Sequence, residues 1–201
     1  MRRRYGMDRR ETAMSFGHPH PDRRRLAPLP ENLFREPIDF LIADHARIRT
    51  ACDELKALAQ SEFGNVSIVQ QLLTFLARDL ASHFGDEEEV LVPHLRQNWP
   101  SAKRIELERI LYRLQTQHRH DLALSGRLLP FLSGMVAGKS VGDSKNFADD
   151  ASSLAASLRR NLAWEEEALL HPARHHLSGA DLTAIGRAMA ARRGVAYPEP
   201  D

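Results

Sequence analysis

The chain has 201 residues, enough for one domain of ordinary size with a well-buried core, and its formal net charge is only +1. That balance hides an asymmetry: residues 1–25 carry eight of the 28 Lys and Arg but three of the 27 Asp and Glu, which leaves residues 26–201 with 20 basic and 24 acidic side chains. A mildly acidic body argues against a sequence-reading nucleic-acid domain, which needs a basic face against phosphate, and the lone Cys52 excludes both an intramolecular disulfide and a thiolate metal cluster.

A single thiol fits a reducing compartment, and no run approaches the roughly 20 apolar residues of a membrane span. The Arg-rich start also lacks the apolar stretch of a secretory signal. The expectation is a cytoplasmic protein with no membrane and no specific nucleic-acid partner, its protein partner unknown.

In chain order, residues 1–36 are rich in Arg and Pro and show no apolar period, which predicts a disordered basic arm. From Pro37, placed like a first-turn proline, Ile38, Leu41, Ile42, His45, Ile48, Cys52, Leu55 and Ala59 recur at three- and four-residue steps and mark a first helix. Gly64-Asn65 punctuates. Leu72, Leu73, Leu76, Leu80, His83, Glu87, Val90 and Leu91 then mark a second helix, which Pro93 and Trp99-Pro100 are expected to stop.

Ser101 offers an N-cap for a third helix through Ile105, Leu107, Leu111, Leu114, His118, Leu122, Ser125 and Leu129, predicted to end before a Gly134–Gly142 loop. Phe147, Ala151, Leu154, Leu158, Asn161, Leu162, Glu165 and Leu169 form a fourth, closed by Pro172. Ser178-Gly179-Ala180 opens a short fifth helix to about Ala191, and a loose tail follows. Nothing alternates at period two, so the pattern predicts an all-α bundle over 37–177, with 1–36 as the arm and 178–201 as short helix and tail.

Each apolar face is interrupted near its middle by residues foreign to a hydrocarbon core. His45, His83 and His118 each lie seven residues after an aliphatic position, Glu87 lies one turn beyond His83, and Asn161 and Glu165 continue the Leu154/Leu158 face. A buried unpaired carboxylate costs several kcal/mol, so Glu87 and Glu165 call for a cation. His83-x-x-x-Glu87 puts an imidazole and a carboxylate on one face about 5–6 Å apart at Cβ. Imidazole and carboxylate without sulfur suit iron, manganese or zinc. The remaining acids of Glu87-Glu88-Glu89 and Glu165-Glu166-Glu167 are expected in solvent or behind the ligands, and His120 on the surface. His94, His171, His175 and His176, which follow predicted helix ends, are expected to cap carbonyls or face water. No Glu-x-x-His pair of a ferritin-like centre and no His-Glu-x-x-His zincin motif occurs.

HFGDEEEVLVP at 83–93, ADHAR at 43–47 and QHRHD at 117–121 resemble the hemerythrin family, in its HHE cation-binding branch, and the likeness runs over about residues 37–175. The resemblance implies an antiparallel up-down four-helix bundle holding two irons bridged by Glu87 and Glu165, with His45 and His83 on one iron and His118 on the other. NLAWEEEALLHP departs from the pattern: Asn161 stands where the family has the fourth-helix histidine, so the second position is expected to bind weakly and occupancy to be unequal. The implied cofactor is non-haem iron, one or two per chain, with zinc or manganese also suited. The implied role is binding or sensing dioxygen or a related small diatomic ligand or peroxide. The alternatives are a peroxide- or nitric-oxide-directed oxidoreductase and a metal-free helical interaction module.

Overall fold

The computed structural model describes residues 26–60, 65–139 and 144–199, and among them every regular element is helical. Helix α1 is Pro37–Ala59. Helix α2 runs without interruption over 66–98, with π turns at Phe75–Asp79 and Asp86–Leu91 inside it. Helix α3 is Arg104–Val136. Helix α4 covers 144–176 with a π turn at Glu166–Leu170, and the short α5 is Gly179–Arg192. No described helix is long and apolar enough to cross a membrane.

Helix α1 packs on α2 and α4, and α3 packs on the same two, so four long helices close a ring around one interior. That interior is divided. One apolar cluster joins Ile48, Cys52 and Leu55 of α1 to Leu72 and Leu76 of α2, Leu124, Leu128 and Leu132 of α3, and Ala151, Leu154 and Leu158 of α4. The other joins Ile38 and Leu41 to Leu91 and Leu95, Leu107, Leu111 and Leu114, Leu169 and Leu170, and Ile185 and Met189 of α5. Each buried aliphatic side chain contributes roughly 1.5–3 kcal/mol of transfer free energy. Between the clusters lies a layer of buried polar side chains, and this is where the sequence's interrupted faces meet.

Several boundaries differ from the sequence reading, each for a physical reason. Pro93 and Pro172 do not stop their helices. Each is the second residue of the α segment that follows a π turn, Val92–Asn98 and His171–His176, where the ladder re-registers and a missing N–H costs least. Helix α3 continues through Pro130 and Gly134 to Val136, because Leu128 and Leu132 keep its face in the core. Ser101 opens a 3-10 turn, Ser101–Lys103, rather than capping α3. Ser178 does cap α5, in a reciprocal capping box with Asp181.

The expected disordered arm is corrected at residues 26–36: Glu31–Arg35 forms a 3-10 helix, Phe34 is buried and stacks on Phe40 at 4.6 Å, and the Leu26 carbonyl accepts from Arg47. Single aromatic anchors of this kind leave no periodic trace. Residues 1–25 of the expected arm lie outside the described residues. The tail is likewise held, with the Arg35 guanidinium donating to the Pro198 carbonyl at 3.0 Å and Arg187 paired with Glu199.

Helix α5 reaches the 3-10 segment through Gly186, where a Cβ would overlap the Phe34 carbonyl oxygen. Gly186→Ala is expected to lower stability by about 1–3 kcal/mol through overpacking, read from the urea midpoint. An unchanged midpoint would mean that this contact is not tight in solution.

Candidate metal centre

The buried layer is built from Asp44 and His45 of α1, His83, Asp86 and Glu87 of α2, His118, Asp121 and Ser125 of α3, and Ser157, Asn161 and Glu165 of α4. All are at most 5% exposed. The two α2 donors are separated by one turn, and the π turn beginning at Asp86 carries Glu87 inward. A π turn adds one residue to the ladder and re-aims the side chains that follow it.

One donor atom from each of His45, His83, Glu87 and Glu165 lies within 4.8 Å of the others. The two carboxylates divide their oxygens between the histidines. Glu87 Oε1 stands 3.6 Å from His45 Nε2 and 3.8 Å from His83 Nε2, while Glu87 Oε2 stands 3.2 Å from His118 Nε2. Glu165 Oε2 is 3.7 Å from His45 Nε2, and its Oε1 is 3.4 Å from His118 Nε2. Donors each about 2.0–2.2 Å from one ion stand roughly 3–4 Å apart, so these separations are those of a ligand set.

The opposite edge of each ring is held by a further carboxylate. His45 Nδ1 meets Glu166 Oε1 at 3.0 Å, and Arg49 donates to the same oxygen. His83 Nδ1 is 3.2 Å from Asp44 Oδ2, whose other oxygen accepts from Arg47 at 2.8 Å. His118 Nδ1 meets Glu88 Oε1 at 2.7 Å, and its ring stacks on Phe84 at 3.8 Å. A carboxylate at Nδ1 calls for the proton there, which leaves Nε2 as the inward electron-pair donor of the neutral ring.

Seen as hydrogen bonding alone, the layer is unsatisfied. Among the described residues, the Nε2 atoms of His45, His83 and His118 and all four oxygens of Glu87 and Glu165 are buried without a hydrogen-bond partner. Native interiors leave few such groups, and so many converging on one point fit a bound cation. Titration reflects the same crowding. Burial pushes the Glu87 carboxyl up, but the His83 charge and the close approach of the His118 and His45 rings outweigh it and hold Glu87 below the usual carboxylate range. Burial and then the Glu87 charge push Glu165 up. Burial would lower His118, yet Glu165, Glu87 and Glu88 together drive it up to about 11.

The structure thus brings together His45, His83, Glu87, His118 and Glu165. Asn161, one turn before Glu165, donates its amide N–H to Asp121 Oδ2 at 2.6 Å. Asp121 is fully buried, its Oδ1 has no hydrogen-bond partner among the described residues, and burial pushes its carboxyl up against hydrogen bonds from Ser157 and Asn161. Glu88 and Glu166 stand behind the histidines, Glu89 and Glu167 face solvent, and His120 is exposed. His94 instead meets Asp181 at 3.0 Å, and His176 packs on Trp99. The reading of the sequence missed the buried acids Asp44, Asp86 and Asp121. The available signal was their place at one or three residues from a ligand on a helix face, so that they enter the same buried layer.

The donor set therefore has the composition and the outer support of a metal-binding centre. Comparison with known proteins found no matching curated protein and no matching solved structure. A family model, the hemerythrin HHE cation binding domain, matches residues 36–173. With its His and Glu cluster in the middle of that span, the chain belongs to the hemerythrin HHE cation-binding family.

Proposed function

We propose that this protein is an antiparallel up-down bundle that binds non-haem iron at a carboxylate-bridged centre and uses it to bind or sense dioxygen or a related small molecule. The division of the Glu87 and Glu165 oxygens between the His45/His83 side and His118 carries this reading, since it prepares two neighbouring positions that share two carboxylates. The alternation of helix halves between the two cores supports the up-down order: the C-terminal halves of α1 and α3 join the N-terminal halves of α2 and α4 in one, and the reverse in the other.

His45 and His83 with one oxygen of each carboxylate would hold the first ion, and His118 with the other two oxygens the second. When bound, iron in such a nitrogen and oxygen set supplies an exchangeable position for a small diatomic ligand or peroxide. The chain's part is to fix the three Nε2 atoms through Glu166, Asp44 and Glu88, and to exclude bulk water with Leu76, Leu80, Leu111 and Leu158, each at most 3% exposed. The second position is one imidazole short, because Asn161 stands where the family pattern has histidine, and its amide N–H turns to Asp121. A single buried thiol, Cys52, suits a reducing compartment such as the cytoplasm.

Metal analysis of protein expressed with iron supplied, with the visible spectrum recorded beside it, tests the proposal. About one iron per chain is expected, with substoichiometric filling of the second position, rising to about two in Asn161→His with absorption from a bridged pair. Folded protein without iron in both forms would leave a helical interaction module as the better reading.

A further inference from the structure

The acid beside Glu87 serves neither histidine nor carboxylate of the cluster. Asp86 is fully buried, and it turns to the end of α5: Oδ2 lies 2.6 Å from Arg193 Nη1 and Oδ1 lies 3.2 Å from Arg192 Nε. Arg192 also pairs with Glu89, so the two arginines grip two side chains of the first turn of the π segment Asp86–Leu91. The grip is close because residue 85 is glycine: a Cβ there would occupy the place of the Arg192 guanidinium. Arg193 is itself fixed. It lies over the rings of Phe34 and Phe40, 5.5 and 4.8 Å from their centroids, and donates to the Met189 carbonyl.

An unclamped Asp86 would be drawn toward solvent by the cost of burying its charge, and since it directly precedes Glu87 its movement would rotate the turn that aims the Glu87 oxygens. His83 and Glu87 alone reach the cluster from this stretch, so a structural account limited to ligands gives no reason for Gly85, Asp86 and the arginine pair to coincide.

We propose that Arg193 and Arg192, at the end of the fifth helix, are positioning residues for the metal centre, which neutralise and hold Asp86 so that the π turn presents Glu87 to the ion. The proposal rests on the metal-centre reading given above. It makes α5, which supplies no ligand, a determinant of metal affinity.

The test is a Co2+ titration of the full chain stripped of metal by chelation, with affinity taken from chelator competition and coordination read from the visible bands. Arg193→Met is expected to weaken Co2+ binding about 10–100-fold and to alter the band envelope, as loss of an outer-shell partner does. Arg193→Lys, which keeps the charge and loses the fork, is expected to fall between, and it carries the test should Arg193→Met not fold. In an Asp86→Asn background, Arg193→Met is expected to lose most of its effect. Met189→Ala removes core packing from the same helix without touching Asp86, and is expected to lower thermal stability while leaving the Co2+ affinity and bands unchanged. Wild-type affinity in Arg193→Met, or equal weakening in Met189→Ala, would overturn the positioning role while leaving the centre intact. A wild-type chain that binds no Co2+ would overturn the centre and the positioning role together.

Discussion

Glu87→Gln is expected to abolish metal binding at both proposed positions, a larger loss than any other single side chain of the layer would cause. Glu87 is the residue whose two oxygens reach all three histidines, Oε1 toward His45 and His83 and Oε2 toward His118. Glutamine keeps the shape but removes the charge and turns one oxygen into an N–H donor, which faces a cation badly. The loss should exceed the roughly 10–100-fold typical of an outer-shell change, measured by chelator competition. Glu165→Gln spares the His83 contact and is expected to weaken binding less. A Glu87→Gln chain that holds iron as tightly as wild type would show that the metal sits elsewhere.

The second large effect is in pH. Metal-free His118 has its pKa raised from 6.5 to about 11, so the stability it contributes is fully present below the ordinary histidine value and is lost as pH rises toward 11. Glu165, also raised by burial and by Glu87, works in the same direction from the ordinary carboxylate value upward. The depressed Glu87 works oppositely, contributing stability above the ordinary carboxylate value that is lost on acidification. The stripped protein should therefore unfold at lower urea at pH 10 than at pH 7. An ion bound as proposed would require His118 Nε2 as an electron-pair donor, so its uptake at pH 7 would displace the proton. Calorimetry in two buffers of different ionisation heat should report that release. Metal uptake without proton release at pH 7 would mean that His118 is already neutral or is not a ligand.

The helical faces and the five residues that meet in the buried cluster were legible because a period of 3.6 brings every third or fourth side chain to one side, and an imidazole or carboxylate on such a side stands out against leucine. The outer layer was half legible: Glu88 and Glu166 fall at the position after a ligand, which helical geometry leaves either in solvent or behind it. Asp44, Asp86 and Asp121 carried only the signal of their spacing from a ligand, which is equally that of a solvated face until the opposing helix is known. The π turns were invisible for a related reason. A single extra residue shifts the period without breaking it, and prolines 93 and 172 then read as ends when they mark a change of ladder.

The polar layer between two separate apolar clusters has a consequence for folding. Without an ion, each cluster is a self-contained block of hydrocarbon, and the seam between them is a plane of buried polar groups short of hydrogen bonds, where local opening is expected to be cheapest. Amide exchange of the stripped chain should then show two protected foldons on either side of a labile waist at His45, His83, His118 and Glu165. An ion held from all four helices, as proposed, would tie the two blocks into one cooperative unit, so the protein's metal would also be its rivet.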